Sequence, residues 1–143
     1  MSLNILVADD EASLRDLVPA YLEMTLARSG QALPERKYTL AVSGQDARRI
    51  LTGSERFDLI ILDGQMSNPA DEANNGPAVA LECVKKLGYR PEQVVVFSGN
   101  LGEEAHELSA LLADNKVRLF NKPELGPVAQ YALEYLASNN PAQ

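Results

Sequence analysis

A single cysteine in 143 residues leaves no internal disulfide and no cysteine-built zinc site. Cys83 falls on the apolar stripe of a helical segment and reads as a small core residue. Histidine is equally scarce. The one copy, His106, lies among acids and off any apolar stripe, which argues for a solvated position and against a phospho-histidine carrier role. Basic residues are few, 13 Lys and Arg against 20 Asp and Glu, for a net charge of −7. Clustered positive charge is what phosphate backbones require, so no nucleic acid partner is expected. No apolar run approaches the ~20 residues that span a bilayer, and no signal peptide precedes the first apolar run. A cytoplasmic protein without membrane contact is the expectation.

Hydrophobic residues make up 45% and charged residues 23%, enough for one domain with a proper core. That domain is expected over residues 1–138, with a short frayed tail over 139–143. Short apolar runs alternate with amphipathic stretches throughout. Strands are expected at Asn4–Ala8, Tyr38–Val42, Asp58–Leu62, Gln93–Phe97 and Val117–Phe120. Helices are expected at Ser13–Arg28, Gln45–Thr52, Pro77–Leu87, Glu103–Asn115 and Pro127–Ser138. Ser13 with Asp16 resembles a capping box, and Pro19 predicts a kink in the first helix. Long loops are expected at Ser29–Lys37 and Ser67–Asn75. Five β-α repeats imply a doubly wound α/β fold, a five-stranded parallel sheet with helices on both faces.

In a parallel sheet every strand ends at the same edge, where such folds place their ligand crevice. Here the strands end in Asp9-Asp10, Asp63, Ser98-Gly99-Asn100 and Asn121-Lys122-Pro123. Two carboxylates ~4 Å apart repel by about 4 kcal/mol at an effective dielectric of 20, so three need a compensating cation. An all-oxygen set completed by water and a phosphate suits Mg²⁺. Lys122 adds a point charge and Ser98 a hydroxyl, and these are the groups that neutralise a transferring phosphoryl group. A carboxylate in that place can itself be the nucleophile, giving an aspartyl phosphate.

Four segments together, Ile5–Glu11, Asp58–Met66, Val94–Gly99 and Lys122-Pro123, resemble the receiver domains of two-component response regulators, of the flavodoxin-like, single-domain chemotaxis type. The resemblance covers nearly the whole chain. It implies that Asp63 is the phosphoacceptor and that Asp10 is a direct Mg²⁺ ligand, assisted by Asp9 through water. It further implies that the Gln65 backbone carbonyl completes the protein's share of the ion's shell. Ser98 becomes the switch hydroxyl, and Lys122 the phosphate-binding lysine before a cis Pro123. The implied partners are a histidine kinase or histidine phosphotransfer protein, a downstream target protein, and a second copy of the chain as a homodimer. The protein would catalyse only its own phosphoryl transfer and autodephosphorylation. Two positions depart from the family pattern: Ser67 replaces a proline, and Leu119 stands three before Lys122, where Tyr or Phe is usual. Phe120, next to it, should face the other side of the sheet. Two readings compete with this one. A pseudo-receiver would keep the fold as an unphosphorylated interaction module. An Asp-nucleophile, Mg²⁺-dependent phosphohydrolase would usually carry its nucleophile after the first strand, with another Asp two residues on.

Overall fold

The computed structural model describes residues 2–66, 75–98, 110, 112–121 and 124–139. Five strands, β1 (Ser2–Ala8), β2 (Glu35–Ala41), β3 (Leu59–Asp63), β4 (Val94–Ser98) and β5 (Arg118–Asn121), form one sheet in the order β2-β1-β3-β4-β5. Each neighbouring pair is parallel. The helices α1 (Ala12–Ser29), α2 (Gly44–Leu51), α3 (Gly76–Lys85) and α4 (Leu125–Ser138) cover both faces. Residues 112–114 are also helical, while the rest of the expected 103–115 helix, with His106, lies outside the described residues.

Alternation along the strands divides the core in two. Leu6, Ala8, Ile60, Leu62, Val94 and Val96 point to α2 and α3, where they meet Ala47, Leu51, Val79, Ala80 and Cys83. Ile5, Val7, Leu59, Ile61, Val95 and Phe97 point to the other face, against Val18 and Leu22 of α1 and Val128, Ala129, Ala132 and Leu136 of α4. β3 is buried at all five positions because a central strand with helices on both sides has no solvated face. Cys83 is fully buried, and burial pushes its thiol up to about 12, as befits an inert core residue. Leu119 joins the α2–α3 cluster and Phe120 the opposite one, as strand alternation requires.

Several local expectations are corrected. The 29–37 loop shrinks, since β2 begins at Glu35. Glu35-Arg36-Lys37 has the composition of a loop, yet it belongs to an edge strand, where charge is a common protection. Inward-facing Arg36 is held by Glu23 of α1 through Nε at 3.0 Å, and the Tyr38 hydroxyl donates to the same carboxylate at 2.8 Å. α1 begins at Ala12 with Glu11 as its N-cap and no side-chain cap, so the Ser13–Asp16 box is not formed. As expected, the helix continues through Pro19. Only Val18, Leu22 and Leu26 of α1 are buried, and Leu17 is 47% exposed. α4 starts two residues before Pro127, which still leaves that proline in the first turn, where a helix N–H has no partner within the helix.

The Arg36 hydrogen bond holds the Glu23 carboxyl below its ordinary value, with Tyr38 assisting against desolvation. A depressed carboxylate contributes stability above its unfolded pKa and loses it as pH falls through the folded one. Glu23→Gln should therefore flatten the acid limb of the stability curve below about pH 4.5, where the unfolded carboxylate titrates. The effect is expected to be modest because the pair is partly exposed. Urea midpoints from pH 3 to 7 check this, and parallel acid limbs in both proteins would contradict it.

Candidate functional site

The order β2-β1-β3 makes the chain leave β1 in one direction and return on its other side. The crevice between β1 and β3 is thus the switch point of the sheet, at its C-terminal edge. Ala8 pairs with Leu62, so Asp9 continues beside Asp63. Asp63 in turn is level with Phe97, one residue before Ser98. The carboxylate oxygens of Asp9, Asp10 and Asp63 lie within 4.8 Å of one another. Asp9 and Asp63 are 3% and 6% exposed, whereas Asp10 faces solvent.

Backbone contacts fix this geometry. The Asp9 N–H donates to the Ala41 carbonyl at 3.1 Å, and Arg15 reaches the Asp9 carbonyl at 2.8 Å. The Asp9 carboxylate accepts the Glu11 N–H at 2.9 Å, which turns the chain into α1. After Asp63, Gly64 donates to the Phe97 carbonyl at 3.0 Å, and its own carbonyl accepts the Gly76 N–H at 3.2 Å. The Gln65 N–H reaches back to the Asp63 carboxylate at 3.4 Å, and the Met66 N–H donates to the Asn75 side-chain oxygen at 3.0 Å.

Two glycines make the packing possible. A Cβ on Gly64 would strike the Cβ and Oγ of Ser98, so the Ser98 side chain rests directly on the Gly64 backbone. A Cβ on Gly76 would strike the Asp63 carbonyl, so α3 starts hard against the turn. In the sequence, Gly64 and Gly76 carry only the signals of a turn and a helix start. Nothing in their spacing identifies the groups that approach them, and Asn75 likewise gave no signal nine residues from Met66.

The expected acids and Ser98 thus meet at one edge, with the Gln65 backbone two residues beyond Asp63. Lys122 and Pro123 lie outside the described residues, as do residues 67–74 and 99–109. β5 nevertheless ends at Asn121, paired with Ser98 at the same edge. Three mutually close carboxylates, two of them buried, have the donor chemistry of a hard divalent cation such as Mg²⁺.

Solved structures with this architecture cover almost the whole chain. A CheY-like response regulator receiver domain protein from Methanospirillum hungatei matches with a TM-score of 0.67 at 18% identity, over 96% of each chain. The chain has the receiver-domain fold. The BeF3-activated receiver domain of DrrB matches this fold at a TM-score of 0.63 and 14% identity, over 96% of this chain and 99% of that one. NtrX from Brucella abortus is 28% identical with a TM-score of 0.63, and there 96% of this chain covers 29% of the longer protein. No protein-family model matches the sequence, and no curated protein matches it. Among the described residues of this receiver fold, no helix is long and apolar enough to cross a membrane.

The two close approaches make a steric prediction. Gly64→Ala and Gly76→Ala should each cost about 1–3 kcal/mol, as overpacking does. Gly76→Ala should be the worse, because it meets backbone rather than a side chain. Urea unfolding measures both, and an unchanged midpoint for Gly76→Ala would contradict the contact.

Proposed function

We propose that the chain is a phosphoacceptor receiver of a two-component system or phosphorelay, phosphorylated on Asp63 with Mg²⁺ and signalling by protein contact. The observation that carries the reading is the convergence of Asp9, Asp10 and Asp63 at the switch point of a receiver fold. An Asp63 carboxylate oxygen attacks phosphorus as the bond from phosphorus to the donor breaks: a histidine donor leaves as imidazole, its nitrogen taking up a proton, and acetyl phosphate leaves as acetate. Asp10, Asp63 and the Gln65 carbonyl would hold the ion, with Asp9 assisting through water. When bound, Mg²⁺ supplies positive charge to the non-bridging phosphoryl oxygens. Ser98, the last residue of β4, would donate its hydroxyl to the product phosphoryl group. Lys122 serves as the cation for the same group.

The donor is a histidine kinase, a histidine phosphotransfer protein or a small phosphodonor such as acetyl phosphate, in the cytoplasm. The chain acts on no separate substrate, and its output is a downstream target protein or a second copy of itself. Leu119 carries no ring to swing between buried and exposed positions. The change after phosphorylation should therefore leave the site through Ser98 and the segment that follows it.

Acetyl phosphate with Mg²⁺ should add one phosphoryl group to the intact protein, read by mass. Asp63→Asn should abolish the adduct, and omission of Mg²⁺ should suppress it. No adduct on the wild-type protein would favour an unphosphorylated interaction module, and turnover of many phosphate esters would favour a hydrolase.

A further inference from the structure

We infer that Asn75 is a positioning residue for the metal site, acting through the peptide that joins Gln65 to Met66. The inference rests on reading the Gln65 carbonyl as a metal ligand. That carbonyl and the Met66 N–H belong to one planar trans peptide, so they point in opposite directions and cannot turn separately. Asn75 holds the Met66 N–H through its side-chain oxygen at 3.0 Å. It thereby fixes the direction of the Gln65 carbonyl.

The neighbouring peptide is tied to the same segment, since the Gly64 carbonyl accepts from the Gly76 N–H at 3.2 Å. The bare Cα of Gly76 allows that approach. Met66 itself is anchored at 1% exposure, whereas the Gln65 side chain is exposed and offers the turn no packing of its own. Two consecutive peptides after Asp63 are thus clasped by Asn75-Gly76, across the eight residues 67–74. The chemistry of the side chain also fits. An amide oxygen accepts the hydrogen bond without adding a fourth negative charge beside Asp9, Asp10 and Asp63.

The test compares the full chain with Asn75→Ala and Asn75→Asp, using calorimetric Mg²⁺ titration and amide exchange at Met66 in metal-free protein. Asn75→Ala should speed Met66 exchange and weaken Mg²⁺ binding by about 10–100-fold, the usual cost of losing a group that orients a ligand. Asn75→Asp retains an acceptor oxygen, so Met66 protection should return and Mg²⁺ affinity should match or exceed that of the wild type. Wild-type Mg²⁺ affinity in Asn75→Ala would overturn the inference. So would an Asn75→Asp protein that protects Met66 yet binds Mg²⁺ as weakly as Asn75→Ala. A wild-type protein with no Mg²⁺ affinity would instead defeat the metal reading itself, and the positioning role with it.

Discussion

Mutual repulsion among Asp9, Asp10 and Asp63 is the constraint around which the rest of the molecule is arranged. At the separation seen here the buried pair Asp9–Asp63 repels by about 3–4 kcal/mol at an effective dielectric of 20, and exposed Asp10 adds a smaller, solvent-screened share. A domain of this size has a total stability of only about 5–15 kcal/mol. The cost is sustained because the carboxylates sit on the ends of β1 and β3, whose register is set by apolar residues buried on both faces. A one-residue slip of β3 would carry its side chains to the wrong layers and would move Asp63 away from Asp9. Core packing and site geometry are therefore one requirement.

The turn after Asp63 meets that requirement by omission. Gly64 leaves room for the Ser98 side chain, and Gly76 leaves room for the Asp63 carbonyl. The close seat of α3 on this turn lets Asn75 and Gly76 hold backbone groups that would otherwise face water. At the far end of the sheet, Leu119 and Phe120 show how one strand serves two cores. Leu119 packs toward α2 and α3, while the Phe120 ring meets Tyr131 of α4 with centroids 5.7 Å apart.

Much of this was legible in the sequence because the relevant signals are local or periodic. The run Leu59-Ile60-Ile61-Leu62 could only be a strand with two buried faces, and its terminal Asp63 then had to lie at the sheet edge. Asp9-Asp10 followed by the same logic from β1. The charged strand β2 was harder to read. Its Arg36 and Tyr38 are accommodated by Glu23, thirteen and fifteen residues away, a contact that exists only after folding. The cap of α1 departs from its sequence signal for a related reason. Ser13 has the right composition for a cap, but the Glu11 N–H bond to the Asp9 carboxylate sets the chain's entry into the helix earlier. Asn75, Gly64 and Gly76 act across space, and their neighbours in sequence say nothing of it.

On the proposed function, the three carboxylates destabilise the metal-free protein and are reconciled by a divalent cation. Thermal unfolding of wild type and Asp10→Asn across a Mg²⁺ series tests this most directly, since Asp10 is exposed and its removal leaves the core intact. The wild type should gain melting temperature with Mg²⁺, following the linkage of binding to stability. Asp10→Asn should melt at or above the wild type without Mg²⁺ and gain little from its addition. A wild-type melting temperature indifferent to Mg²⁺, together with an Asp10→Asn protein less stable than wild type in its absence, would contradict the account.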